Sequence, residues 1–338
     1  SCIIGLVRMH QLTGEARYLA VARNAWDDIS QNRLYLAGSS GADECFKDDH
    51  CLPAEHLDSP AEACVTAHWM YLSRLLFELT GELRYVDAVE ISLFNYLLAS
   101  QRPQDCHQSY NTAMNGRKVF GRHDAWGTDG KPPCCISSVM REIPRTLEAL
   151  WARFPDHGLA ALIYHAGRLD ETVRTVDGRE VPVRIEVATD FPHSGRVRFT
   201  VTPASPALFQ LALRVPSWAR AVTATVGSES LAGTPGNYLR LSRLWQPGDV
   251  VELTMDLNER LVPGGPSYPG HFAVMRGPQV LSLAVPAGDE PALAAARLAP
   301  ASSVGLRRVT GLLPAGWIGD QAYRTPSLEA APTAFLVP

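Results

Sequence analysis

Apolar residues recur at helical spacing through the first half of the chain and switch to alternation from about residue 158. Ile3, Ile4, Leu6, Val7 and Met9 predict a short apolar helix that stops at Thr13-Gly14, where glycine suits a left-handed cap. Tyr18, Leu19, Ala22, Trp26 and Ile29 predict a second helix. A third, over 60–79, has Pro60 in its first turn, so that Glu62 and Cys64 sit at its mouth. A fourth, over about 82–100, carries Glu90 among Val86, Val89, Ile91, Leu93, Phe94, Leu97 and Leu98. The last runs from Cys134 to about Phe154, through Pro144.

The alternating half reads as short strands. Residues 161–164, 181–185, 197–201, 209–215 and 250–255 are the clearest, punctuated by Asp177-Gly178, Pro235-Gly236-Asn237 and Pro247-Gly248-Asp249. This spacing predicts a β-sandwich. Trp218, Trp245 and Arg276-Gly277-Pro278 read as core and turn residues rather than a sugar-binding face. After about residue 285 the Ala/Pro-rich sequence has little pattern and no evident closing element. The chain therefore divides into a helical part, 1–157, a sandwich, 158–290, and the weakly patterned start of a further C-terminal segment, 291–338.

One junction occurs twice. Residues 12–18, Leu-Thr-Gly-Glu-Ala-Arg-Tyr, match residues 79–85, Leu-Thr-Gly-Glu-Leu-Arg-Tyr, at six of seven positions. Helical hairpins repeating after 67 residues indicate either an open array or a closed α/α toroid. Long polar loops between them, such as 37–60, favour the toroid, because such loops line active-site mouths. The motif itself is explained by capping: glycine for the left-handed turn and an acid at the next helix start.

Composition narrows the chemistry. The 338 residues suffice for two cores, carry a net charge of −4 and contain no basic stripe, which argues against nucleic acid as a partner. No apolar run is long enough to span a membrane. Ser1 falls within a helical pattern, so a preceding segment is expected and no targeting signal is read from the start.

Seven widely spaced cysteines, an odd number in a large chain, do not form a disulfide framework. Glu62, Cys64, Cys134 and Cys135 instead make a complete donor set for one tetrahedral zinc, both halves sitting at helix N-termini reached from polar loops. Thiolate ligands suit a reducing compartment, which points to the cytoplasm.

Against this background, Leu52-Pro53, Glu62-Ala63-Cys64, Leu79-Thr80-Gly81-Glu82, Tyr85, Asp87, Glu90, Asn95, Tyr110-Asn111 and Cys134-Cys135 with Arg141 resemble glycoside hydrolase family 127, the β-L-arabinofuranosidase family. In the β half, residues 213–219, 235–238, 243–249 and 275–278 resemble it too. The family's usual Cys-Cys-Pro-x-Asn is here Cys134-Cys135-Ile136-Ser137-Ser138.

The resemblance implies an α+β multidomain fold, the C-terminal part of an (α/α)6 toroid followed by a β-sandwich, with the toroid's N-terminal part missing. It implies zinc on Glu62, Cys64, Cys134 and Cys135, with Cys134 as nucleophile of a retaining exo-glycosidase. Glu44, eight residues before Leu52, matches the acid/base position. Glu90 and Tyr110 match positions that contact the sugar. The implied partner is an oligosaccharide or glycan; a homodimer is left open.

Plainer readings stand beside these. The cysteines can serve as small buried hydrophobes, or hold a purely structural zinc in a non-catalytic protein. Glu44 and Glu90 can be solvated carboxylates, Tyr110 a packing residue, and His50, His56, His68, His107 and His123 are unassigned.

Overall fold

The structure is a computed structural model that describes residues 1–42, 45–55, 60–101, 108–116, 134–154, 158–285, 291–298, 304–309, 321–330 and 334–338. These residues form two compact units. The first comprises Ser1–Leu79, Ile91–Ile143 and Glu259–Pro338; the second comprises Thr80–Glu90 and Pro144–Asn258. No helix among the described residues is long and apolar enough to cross a membrane.

Helices α1 (Cys2–Thr13) and α2 (Ala16–Asn32) pack together, and α3 (Ala63–Thr80) places Trp69 in a stack on Trp26, ring centroids 4.9 Å apart. Trp26 Nε1 donates to Ser73 Oγ at 2.9 Å, so the buried indole keeps its polar partner.

The repeated junction has the same geometry in both copies. Gly14 and Gly81 lie at φ 73° and 71°, the left-handed region that glycine enters without a Cβ penalty. The Glu15 and Glu82 amides each donate to the preceding threonine hydroxyl at 3.2 Å. Glu15 pairs with Arg17 at 2.7 Å and Glu82 with Arg84 at 2.8 Å. Each guanidinium then covers the next ring, Tyr18 at 4.8 Å and Tyr85 at 4.7 Å. The motif is a cap and a stacked arginine, as its composition indicates.

Three predicted helices differ in extent. Helix α3 begins at Ala63 rather than 60, because Glu62 pairs with Asn111 in a β-bridge and Ala61 takes a left-handed φ of 50°. The fourth is α4 (Leu83–Ser92) followed by a π-helical turn, Leu93–Leu97. The last, α5 (Cys134–Arg145), ends far short of Phe154. Pro144 brings no N–H to the ladder, and a 3-10 turn at Thr146–Ala149 leads into strand β1 (Trp151–Phe154).

The second unit carries strands β2 (Gly158–Ala161), β3 (Gly167–Arg174), β4 (Glu180–Thr189), β5 (Arg196–Pro203), β6 (Ala207–Arg214), β7 (Val222–Val226), β8 (Glu229–Gly233), β9 (Tyr238–Trp245) and β10 (Asp249–Met255). They form two sheets, β1-β2-β6-β9 and β3-β4-β5-β10-β7-β8. Strand β4 alternates strictly, burying Val181, Val183, Ile185 and Val187. The sheets face one another, since Trp151 on β1 meets Phe199 on β5 edge-on at 6.3 Å. Trp245 is wholly buried with Nε1 on the Phe209 carbonyl, a core residue as expected.

The segment after Asn258 also forms strands. Strands β11 (Glu259–Pro263), β12 (Phe272–Arg276), β13 (Gln279–Ala284), β15 (Arg307–Arg308), β16 (Tyr323–Arg324) and β18 (Phe335–Val337) make a sheet in the order β11-β12-β13-β18-β16-β15, accompanied by the pair β14 (Arg297–Leu298) and β17 (Leu328–Glu329). Val274, Leu281, Val304, Tyr323 and Leu336 form its core. Strands of two or three residues carry no readable alternation, which is why the sequence shows no closing element there.

Candidate functional site

The site lies in the first unit, where α3 and α5 each offer a first turn. Helix α3 supplies Cys64, and α5 supplies Cys134 and Cys135. A buried ion pair ties the two helices farther along, Arg74 Nη2 to Glu142 Oε1 at 3.0 Å. At the mouth of α3, the Ala63 amide donates to the Tyr110 carbonyl at 2.9 Å and Glu62 bridges Asn111. These bonds pin the Tyr110 segment beside both helix starts.

The three sulfurs consequently lie within 4.8 Å of one another. Cys64 Sγ is 3.4 Å from Cys134 Sγ and 3.5 Å from Ser138 Oγ. Tyr110 Oη approaches Cys134 Sγ at 3.8 Å, and its carbonyl lies 3.9 Å from Cys135 Sγ. Glu62 is buried, with Oε1 4.0 Å from Cys135 Sγ. Cys134 is exposed, Cys64 half-buried and Cys135 buried.

The environments separate the thiols electrically. Hydrogen bonding from Cys135, resisted by burial and helped by Ser138, Cys134 and His68, draws the Cys64 thiol down to about 5. Burial raises the Cys134 thiol, and Cys135 is raised by its bond to the Cys64 sulfur and then by burial. Among the three thiols, Cys64 is the one drawn toward the thiolate form.

The three cysteine sulfurs are placed to share one metal ion. Zinc–sulfur bonds of about 2.3 Å place tetrahedral sulfur neighbours about 3.8 Å apart, close to the spacing of this cluster. Soft thiolates suit such a metal; Glu62 approaches the Cys135 sulfur, at 4.0 Å, and the donor atoms that all lie within 4.8 Å of one another are the three sulfurs.

Of the other expected site residues, Glu44 lies outside the described residues. Its flanks Ala42 and Cys45 exchange backbone hydrogen bonds of 2.9 and 3.1 Å. His56, His107 and His123 also lie outside the described residues. Glu90, in the second unit, is wholly buried. Its Oε1 accepts from Arg214 and its Oε2 from Trp218 Nε1 at 2.8 Å, while Arg214 also bonds Asp87 and the Leu162 carbonyl.

Three residues at the site carry no expectation from sequence. His68 Nδ1 lies 2.8 Å from the Cys64 carbonyl, and Ser138 contacts the Cys64 sulfur. Each stands four residues after a cysteine, Cys64 and Cys134, so helical periodicity alone places them on the cysteine face. Tyr96, whose hydroxyl donates to the Ala61 carbonyl, has no such signal. Burial raises its phenol well above the usual range, so it stays a neutral donor.

A profile of the GH127 β-L-arabinofuranosidase catalytic domain matches residues 1–148, and one of the GH127 middle domain matches residues 159–257. A non-reducing end β-L-arabinofuranosidase of Bifidobacterium longum subsp. longum is 26% identical over 302 residues, covering 82% of this chain and 43% of its own. The fold is similar to that of a GH127 β-L-arabinofuranosidase from Geobacillus stearothermophilus T6, with a TM-score of 0.72 and 21% identity over 99% of this chain and 56% of the other. A second solved GH127 β-arabinofuranosidase gives a TM-score of 0.72 and 21% identity over 99% of this chain and 55% of that one. The chain thus spans about half the length of the relatives it matches.

Proposed function

Because the chain belongs to the GH127 β-L-arabinofuranosidase family, carrying its catalytic domain and its middle domain, we propose that it serves a zinc-dependent retaining exo-glycosidase acting on β-L-arabinofuranosyl or related linkages. The observation that carries this is the convergence of Cys64, Cys134 and Cys135 at two helix N-termini. Adjacent cysteines on one helix, met by a third from another, need a chemical reason, and a metal-held thiolate supplies one.

In this proposal Glu62, Cys64, Cys134 and Cys135 hold the zinc, which supplies a thiolate at neutral pH where a free cysteine is mostly protonated. Cys134 is the nucleophile, in keeping with its exposure beside Tyr110, while buried Cys135 anchors the site. Its sulfur attacks the anomeric carbon as the bond to the leaving oxygen breaks, and Glu44 gives that oxygen a proton. Glu44 then takes a proton from water, whose oxygen displaces the sulfur and restores the anomeric configuration. Tyr110, whose hydroxyl lies 3.8 Å from the Cys134 sulfur, is assigned to the sugar through the family resemblance. Glu90 enters through the family resemblance; its carboxylate is engaged by Arg214 and Trp218.

A second reading has a specific support: three thiols and one carboxylate are four protein donors, the number of a closed structural zinc site. Metal analysis combined with hydrolysis separates the two. The catalytic proposal expects one zinc per chain, cleavage of an aryl β-L-arabinofuranoside by the full protein, and loss of that cleavage by at least about 10³-fold in Cys134→Ser. Bound zinc with no cleavage by the parent supports the structural reading.

A further inference from the structure

Glu62 reaches the cluster from an unusual backbone. Ala61, the residue before it, is wholly buried and sits at φ 50°. A side chain makes the left-handed region unfavourable, so such a conformation persists where its surroundings hold it. Here both peptide groups are held. The Ala61 amide donates to the Gly41 carbonyl at 2.8 Å. The Ala61 carbonyl accepts from the Thr112 amide at 3.2 Å and from the Tyr96 hydroxyl.

Tyr96 in turn is fixed from behind. It belongs to the π-helical turn Leu93–Leu97, a rare geometry that recurs at functional sites. The neighbouring Asn95 clasps the β12–β13 turn, with Nδ2 donating to the Pro278 carbonyl at 2.8 Å and Oδ1 accepting from the Val280 amide at 2.6 Å. Asn95 Nδ2 also bonds the Ile91 carbonyl at 2.8 Å, within its own helix. A continuous set of bonds therefore runs from the β12–β13 turn through the π-turn to Ala61. From there the next carboxylate stands 4.0 Å from Cys135 Sγ.

We infer that Tyr96 is a positioning residue for the candidate metal site: its hydroxyl holds Ala61 left-handed and thereby aims the Glu62 carboxylate at the Cys135 sulfur. The inference rests on the zinc reading of Glu62, Cys64, Cys134 and Cys135. The Tyr96 hydroxyl also meets the Thr112 and Ser39 side chains; in this role it acts through the Ala61 carbonyl.

Cobalt(II), added alone to the metal-stripped full chain, tests it through absorption rather than turnover. In the parent, thiolate-to-cobalt charge-transfer bands and intense d–d bands report a four-coordinate site. Tyr96→Phe, which removes only the oxygen, is expected to keep the charge-transfer bands and to shift the d–d bands toward those of Glu62→Gln. Its cobalt affinity should fall about tenfold to a hundredfold. Adding Ala61→Gly to Tyr96→Phe should restore much of the parent spectrum, because glycine enters the left-handed region unaided; a mere packing defect would not be repaired this way. Where Tyr96→Phe alone folds too poorly, the double variant decides: a parent-like spectrum supports the inference and a Glu62→Gln-like one overturns it. Parent-like affinity and spectrum in Tyr96→Phe overturn the positioning role while leaving the zinc reading intact. Absence of thiolate–cobalt bands in the parent overturns the zinc reading and this inference with it.

Discussion

Hydrogen bonding lowers the Cys64 thiol, and that has a measurable sign. Its thiol is lowered from 9.0 to about 5 by hydrogen bonding, chiefly from Cys135. Between those values the folded chain holds fewer protons than the unfolded one, so this group's stabilisation grows as pH rises from about 5 to 9 and is lost as pH falls through 5. Ultraviolet thiolate absorbance of the chelated protein should show a step centred near 5 that Cys64→Ser removes, while Cys134 and Cys135 ionise above the ordinary thiol range. Absence of any step near 5 that depends on Cys64 would contradict the assigned bonding. The buried Arg214 poses a different residue-scale case, a charge held by Asp87 and Glu90 with no exposure of its own. Removing one partner leaves an uncompensated buried charge, so Arg214→Met is expected to cost about 3–5 kcal/mol in denaturant unfolding. At this scale the cysteines were legible because adjacent thiols paired with Glu-x-Cys admit few other uses. Tyr96 was not, because a phenol that acts on a backbone carbonyl leaves no spacing or composition to read.

Among the elements, the clearest sequence signal was the repeated Thr-Gly-Glu-x-Arg-Tyr junction, since its chemistry is local and needs no distant partner. Gly81 sits at φ 71°, and a Cβ added there would meet nothing within 4 Å, so Gly81→Ala incurs only the left-handed penalty. A loss of about 1–2 kcal/mol is expected by thermal or denaturant unfolding. The α3–α5 pair depends on Arg74 and Glu142, which are 6% and 2% exposed. Glu142→Ala should cost about 3–5 kcal/mol, whereas Arg74→Met with Glu142→Leu should lie near the parent. A double replacement as damaging as the single one would show that the pair does more than satisfy itself. Helix ends were harder to read. Pro144 signals a break, yet the turn from α5 through 3-10 into β1 depends on Trp151–Phe154 pairing with Gly158–Ala161, a tertiary event.

Across the whole molecule, the strongly alternating strands of the second unit gave its sandwich away, and burial along β4 and β5 follows that alternation. The assignment of Thr80–Glu90 to that unit, and of Glu259–Pro338 to the helical one, was not legible. Such groupings arise from long-range contacts like Glu90 with Arg214 and Asn95 with Val280, partners far apart in the chain. The catalytic proposal likewise belongs to this scale, because it needs Glu44, the thiols and a sugar in one place. The most direct measurement is peptide mass mapping of the full protein quenched during turnover of an activated β-L-arabinofuranoside. A pentosyl group on the peptide bearing Cys134, absent in Cys134→Ser, is the expected result. Hydrolysis that proceeds at the parent rate in Cys134→Ser, with no pentosyl cysteine formed, would contradict it.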